Sequence, residues 1–209
     1  REYIDPVRFI SNESSGKQGY EIAKVLAKSG VKTTLVAGPS TLDPISGLKI
    51  VKVKTANEMF NEIKKLLPVD IAVCAAAVSD FKPKHFFSSK IKKNKNMFKK
   101  LELEKNIDIL DYLSKHNRNR PKLVVGFSAE TENLIKNSEE KLKDKRCDLI
   151  VANDVSKKDF GFDSEYNKVT LIEENGVILN IKKSKKKFIA ATVAKKILDK
   201  FLFVEKYIN

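Results

Sequence analysis

Five short apolar runs alternate with amphipathic stretches along this chain, and that alternation limits the fold more than any other feature. The runs are Thr33–Ala37, Leu48–Val53, Asp70–Ala75, Lys122–Gly126 and Asp148–Ala152. Beside them, apolar residues recur at three- and four-residue spacing over Gly16–Lys28, Ala56–Leu67, Ile107–Lys115 and Glu132–Lys145. Strand-length runs joined by helix-length segments predict βαβ units, because parallel strands need a crossover and a helix must bury its apolar stripe. The expected fold is α/β: a Rossmann-like three-layer αβα sandwich on a mostly parallel sheet. Asn167–Ile181 breaks the rhythm with two alternating runs around Asn175-Gly176, which predicts a C-terminal β-hairpin. A last amphipathic helix is expected over Phe188–Leu202. No repeat or linker divides the 209 residues, so residues 1–209 are expected to form a single domain.

The formal net charge of +14 admits a nucleic-acid surface or a phosphorylated ligand. Only five of the 41 basic residues are arginine, the side chain that reads base edges most often, and no basic stretch is studded with aromatics. No nucleic-acid partner is therefore expected, although a basic binding module stays in view as an alternative. No apolar run approaches the roughly 18 residues that cross a bilayer, so a cytoplasmic chain with no membrane partner is expected. Cys74 and Cys147 lie in or beside apolar runs and read as buried reduced thiols.

In doubly wound sheets ligands bind beyond the carboxyl ends of the strands, so the segments there carry the functional argument. Ser14, Ser15 and Gly16 precede a helix: either its free N–H groups face a phosphate, or a serine simply caps it. The spacing is not G-x-G-x-x-G, which weakens an NAD(P)-dependent oxidoreductase without removing it. Val73–Pro83, "VCAAAVSDFKP", ends a strand in small residues on which a flat base or ribose can lie. Asp80 there either serves sugar hydroxyls or Mg²⁺, or caps a turn. The lysine-rich stretch from Lys90 to Lys100 reads as a lid carrying cations to a triphosphate, or as solvated loop. Phe127, in "VVGFSAETEN", covers a base or joins the core. Lys141 and Lys145 share a helical face, as phosphate ligands would and as surface lysines commonly do.

"DPVRFISNESSGKQG" at 5–19, "CAAAVSDF" at 74–81, "KIKK" at 90–93, "VGFSAET" at 125–131, "DLIVANDV" at 148–155 and "GF" at 161–162 occur together and in this order. In that combination the chain resembles the phosphopantothenoylcysteine synthetase family, the synthetase half of the bifunctional coenzyme A biosynthesis flavoprotein, in its CTP-using bacterial branch. The resemblance implies a ligase that joins 4'-phosphopantothenate and L-cysteine with CTP and Mg²⁺ through an acyl-cytidylate, releasing pyrophosphate and then CMP. It implies catalytic roles for Asn12, beside the acyl-cytidylate, and for Lys90, in the activation step. Nucleotide contacts are implied at Ala75, Ala76, Asp80, Lys90, Phe127, Ser128, Ala129, Glu130, Lys141 and Lys145, with Ser14, Ser15 and Gly16 as the phosphate loop and no metal ligands assigned. The family's pattern begins with a strand and a Gly-Gly-Thr turn ahead of "RE…DPVR", whereas this chain opens at Arg1, and the flavin-binding decarboxylase half has no counterpart here. A homodimer is expected from the resemblance and from the exposed edge of the hairpin.

Overall fold

The computed structural model describes residues 1–92, 100–116, 118–156 and 164–207. Two short strands, β1 (Glu2–Tyr3) and β2 (Phe9–Ile10), pair antiparallel and lead to helix α1 (Lys17–Lys28). Then come β3 (Thr34–Ala37), β4 (Lys49–Lys52), α2 (Ala56–Leu66) and β5 (Ile71–Cys74). A small antiparallel pair, β6 (Phe81–Pro83) with β7 (Leu103–Lys105), follows. A short helix α3 (Ile109–Asp111) continues as a π-helical turn over Tyr112–His116. The chain closes with β8 (Leu123–Glu130), α4 (Leu134–Lys145), β9 (Leu149–Asp154), β10 (Tyr166–Glu173), β11 (Gly176–Lys185) and α5 (Lys186–Tyr207).

The α/β character is as expected, but the sheet is mixed rather than mostly parallel. Its five strands run in the order β11-β10-β9-β8-β5; β5, β8 and β9 are parallel, while β10 and β11 are each antiparallel to their neighbours. The hairpin causes this, since a two-residue connection can only join antiparallel strands. Its turn lies one residue earlier than the sequence suggests. Glu173 pairs with Gly176, leaving Glu174 and Asn175 at the tip, and Gly176 takes the positive φ of 104° that glycine tolerates. The parallel pair β3–β4 stands apart from this sheet. β8 runs past Gly126 to Glu130 because Phe127–Glu130 pair with Val151–Asp154 of β9.

The core follows the two-residue period of the strands. Leu123, Val125, Leu149, Val151, Val169 and Leu171 meet Ile22 and Leu26 of α1 and Ile189, Val193 and Ile197 of α5 on one face. Val124, Ile150, Ala152 and Ile172 meet Met59 of α2, Leu113 and Leu142 of α4 on the other. Helices therefore cover both faces, and the central strands read as continuous apolar runs because neither face is wet. Local signals set the helix starts: Thr55 Oγ1 accepts from the Glu58 N–H at 3.1 Å and the Glu58 carboxylate accepts from Lys54 N at 2.7 Å, a capping-box exchange that begins α2. Both cysteines are free thiols, and burial pushes Cys74 up to about 12 and Cys147 up to about 11. They are inert at neutral pH.

Candidate functional site

The free edge of β5 does not pair with β3; both strands face one cavity of about 1920 Å³. One end is lined by segments entering the strands, including Val31, Leu66 and Asp70. The other is lined by segments leaving them, Gly38–Ser40 and Ala75–Asp80, together with the start of α1. This second end is where an α/β sheet offers a ligand crevice.

Asn12, Ser14, Gly16, Ala75, Ala76, Asp80, Phe127, Lys141 and Lys145 all line the cavity. Ser15, Lys90, Ser128, Ala129 and Glu130 are outside its lining. The lysine-rich stretch beyond Lys92, residues 93–99, and the Gly161-Phe162 motif fall outside the described residues.

The entrance at 14–16 is open. Gly16, not a serine, is the N-cap of α1; its φ of 73° is left-handed, and no side chain caps the helix. Ser14 Oγ accepts from Gly16 N at 3.3 Å, one residue before the helix. No acidic residue stands in the first turn, so the positive end of the helix dipole is not neutralised from within α1. Gly19 lets α1 approach the next element closely, since a Cβ there would lie 3.5 Å from Ala75 Cβ. The small residues at Ala75–Ala77 thus leave room beside the helix.

Asn12 is exposed, and its Nδ2 donates to the carbonyl of Val78 at 3.1 Å, which leaves the amide oxygen and a second N–H for a ligand. Asp80 is exposed while its own carbonyl accepts from Asn106 N at 2.8 Å, so the backbone is held and the carboxylate projects from a fixed point. No group of three metal-ligating side chains occurs among the described residues. A single carboxylate is nevertheless a usual protein share of a Mg²⁺ site, because that ion keeps waters and leans on substrate phosphates. Phe127 is half-buried, packed against the core cluster of α1 and α5 on one side and lining the cavity on the other.

The two helix α4 lysines differ in their surroundings. Lys145 is paired with Asp108 at 3.0 Å and Asp144 at 3.0 Å, with Asp111 at 3.8 Å. Burial alone would lower its pKa; the hydrogen bonds to Asp108 and Asp144 outweigh burial and hold the ammonium well above its ordinary value. Lys141, one helical turn earlier, has no ion pair among the described residues and is the less committed cation. Asp108 caps α3 with Oδ1, which accepts from Asp111 N at 2.8 Å, and holds Lys145 with Oδ2. These aspartates were not foreseen. Their only trace in the sequence is the three-residue spacing of Asp108 and Asp111 at a helix start.

Ser128, Ala129 and Glu130 belong to the paired end of β8. Ser128 Oγ shares a 2.7 Å hydrogen bond with Ser138 Oγ, and Glu130 accepts from Asn137 Nδ2 at 3.0 Å, so both side chains fasten α4. Ala129 is exposed, Ser15 half-buried and Lys90 exposed.

The DNA/pantothenate metabolism flavoprotein C-terminal domain matches residues 1–201. A coenzyme A biosynthesis bifunctional protein CoaBC from Borreliella burgdorferi is 44% identical over 178 residues, which cover 84% of this chain and 44% of that protein. The chain thus spans less than half the length of this curated relative. The crystal structure of the C-terminal domain of a CoaBC superposes with a TM-score of 0.78 at 34% identity, covering 99% of this chain and 91% of that one. The fold also matches a Cab2 H337A mutant in complex with phosphopantothenate-cysteine, with a TM-score of 0.77 at 17% identity over 98% of this chain and 85% of that one.

Proposed function

The chain belongs to the family of the DNA/pantothenate metabolism flavoprotein C-terminal domain, and on that premise we propose that it is the ligase that joins 4'-phosphopantothenate to L-cysteine with CTP in coenzyme A biosynthesis. One observation carries the reading: a single cavity brings Asn12, the uncapped start of α1, the Ala75–Ala76 shelf, Asp80, Phe127 and Lys141 to the carboxyl ends of the strands. The crevice is shaped for an anionic nucleotide beside a second ligand.

A carboxylate is a poor acylating agent, so it must first gain a leaving group. The phosphopantothenate carboxylate attacks the α-phosphate of CTP; pyrophosphate departs and a mixed acyl-cytidylate anhydride remains. The amine of cysteine then attacks the acyl carbon, CMP leaves, and the amine proton is released. In the first step negative charge crowds at the α-phosphate, where Lys90 and the N–H groups of α1 offset it. Mg²⁺, held by Asp80 and the nucleotide's own phosphates, supplies further charge neutralisation when bound. Asn12 donates to an oxyanion without needing to lose a proton, which suits the acyl-cytidylate. Phe127 and the alanine shelf flank the base, and Lys141 and Lys145 stand on the phosphate side. In the ligand-free state Lys145 is held by its three aspartates, so a phosphate must take it from them or bind Lys141 instead.

The free edges of β5 and β3 have room between them for one parallel strand. The strand that the resemblance places ahead of Arg1 fits that gap in a single domain, and its turn would complete the phosphate end of the cavity. β11, at the opposite edge of the sheet and with Val177 and Ile178 exposed, offers its unpaired backbone to a second copy in a two-fold dimer.

The deciding experiment is pyrophosphate release in the full-length protein. It should require CTP and phosphopantothenate together and run far faster with CTP than with ATP or GTP. Lys90→Gln should lower acyl-cytidylate formation by about 10²–10³-fold. Asn12→Asp should instead let the intermediate accumulate in a quenched reaction and slow its decay on adding cysteine. If both variants stop before pyrophosphate release, or both turn over normally, this assignment of the two steps is wrong.

A further inference from the structure

Asp5 has no exposed surface, and a buried carboxylate needs partners. Its Oδ1 accepts from Val7 N at 2.9 Å and Arg8 N at 3.0 Å, closing a turn on itself. Its Oδ2 accepts from Ile91 N at 3.2 Å and pairs with Arg8 Nη2 at 3.0 Å. The same Arg8 nitrogen donates to the Ile91 carbonyl at 2.6 Å. Both backbone polar groups of Ile91 are therefore gripped by two side chains that also grip each other. Four residues earlier, Phe87 N donates to the Ile4 carbonyl at 3.0 Å. The stretch 87–91 is pinned at both ends to the turn Ile4–Arg8, and Lys90 lies between the pins.

That turn also leads directly into β2 and Asn12. It could be closed by Oδ1 alone, as an aspartate-initiated turn ordinarily is. The second carboxylate oxygen and the guanidinium go beyond what the turn requires, and a buried ion pair is by itself weak support for stability. What the pair adds is a rigid connection between two segments more than 80 residues apart in sequence.

We propose that Asp5 and Arg8 are positioning residues, a buried clamp on Ile91 that fixes Lys90 relative to Asn12 for the activation step. The clamp is a feature of the geometry; its consequence for turnover rests on the ligase reading of Lys90 above. Asp5→Asn replaces a carboxylate that accepts on both sides with an amide that must turn its NH₂ toward Ile91 N–H, Arg8 or the turn, so the clamp opens.

The test uses the full-length protein and two readouts. In Asp5→Asn, kcat for pyrophosphate release should fall about 10²-fold while the KM for CTP hardly moves, as expected of a reacting group displaced by about 1 Å. Combined with Lys90→Gln it should add no further loss, because both changes act through one ammonium. Amide hydrogen exchange should quicken at residues 87–92 and stay unchanged in β8. Wild-type turnover in Asp5→Asn, additive losses in the double variant, or quickened exchange in β8 as well would each overturn the clamp. Should Asp5→Asn not fold, Arg8→Met keeps the Oδ1 turn and the Ile91 N–H contact and gives the same decision. A wild-type protein that releases no pyrophosphate would remove the ligase reading, while unchanged exchange at 87–92 in either variant would remove the clamp.

Discussion

β9 and β5 are built from similar residues, Leu-Ile-Val-Ala at 149–152 and Ile-Ala-Val-Cys at 71–74, yet they live in different surroundings. Leu149–Ala152 have no exposed surface, whereas every residue of β5 is only half-buried. The cause is topological. β9 is paired on both edges, by β8 and β10, while β5 is paired on one and turns the other toward the cavity. Burial here comes from a strand's neighbours, not from its composition. The sealed half of the sheet, with α5 across it, carries the fold; the open half holds the ligand crevice.

The largest expected effect is on core truncation. Leu149→Ala should cost about 3–5 kcal/mol, since its place is closed on every side, and Ile71→Ala about 1–2 kcal/mol, since half its surroundings are already empty. Urea unfolding of the two variants measures both. Equal losses would mean that the open half is as tightly packed in solution as the sealed one.

Glycines sharpen the contrast with one substitution of opposite sign. A Cβ on Gly126 would lie 2.7 Å from Ile150 Cδ1 and 2.9 Å from Leu110 Cδ2, so Gly126→Ala should cost about 1–3 kcal/mol. A Cβ on Gly19, inside α1, meets only Ala75 Cβ at 3.5 Å, an ordinary contact. Gly19→Ala should therefore add about 0.5–1 kcal/mol through helix propensity, while narrowing the crevice and raising the KM for CTP. Thermal melts beside nucleotide titrations separate the two effects.

The smallest effect is in the pH limits. Burial would raise Asp154 in β9, but hydrogen bonds from Ser156 and Lys168 outweigh it and hold the carboxyl below its ordinary 3.8. Its folded value is lowered, so its contribution is present above about pH 4 and disappears as pH falls through the folded value. Lys145 on the cavity wall is raised above its ordinary 10.5, so its contribution is present below that pH and disappears only as pH rises through the folded value. Asp154→Asn should flatten the acid limb of the stability profile and Lys145→Met the alkaline limb. A change on the opposite limb would assign the pH limits to other groups.

Much of the sealed half was legible in the residues. The apolar runs at 33–37, 48–53, 70–75, 122–126 and 148–152 each became a strand within one residue at their starts, because a two-residue period on a buried strand is a local property. The hairpin was legible from Asn175-Gly176 but misplaced by one residue: the positive φ belongs to Gly176, and the glycine opens β11 instead of centring the turn. β1, β2, β6 and β7 were missed, being only two or three residues long and too short to show a period. Ile107–Lys115 read as one helix, while the chain makes a three-residue α3 and a π-helical turn there.

The site was legible as a set of segments, not as a set of partners. Small residues after β5, the Ser-Ser-Gly entrance and Phe127 could be named because position beyond a strand end is implied by the βαβ rhythm. The sequence by itself determined the alternation of elements, the two apolar faces of the strands and the end of the sheet where a ligand would sit. Only the tertiary structure decided that the sheet turns antiparallel at β10, that Gly16 caps α1, that Lys145 is held by Asp108 and Asp144 and that Asp5 and Arg8 hold Ile91. Periodicity is written in residues three or four apart. Ion pairs and clamps are made between residues tens of positions apart, and which of many equivalent lysines and aspartates meet depends on how the finished layers bring them together.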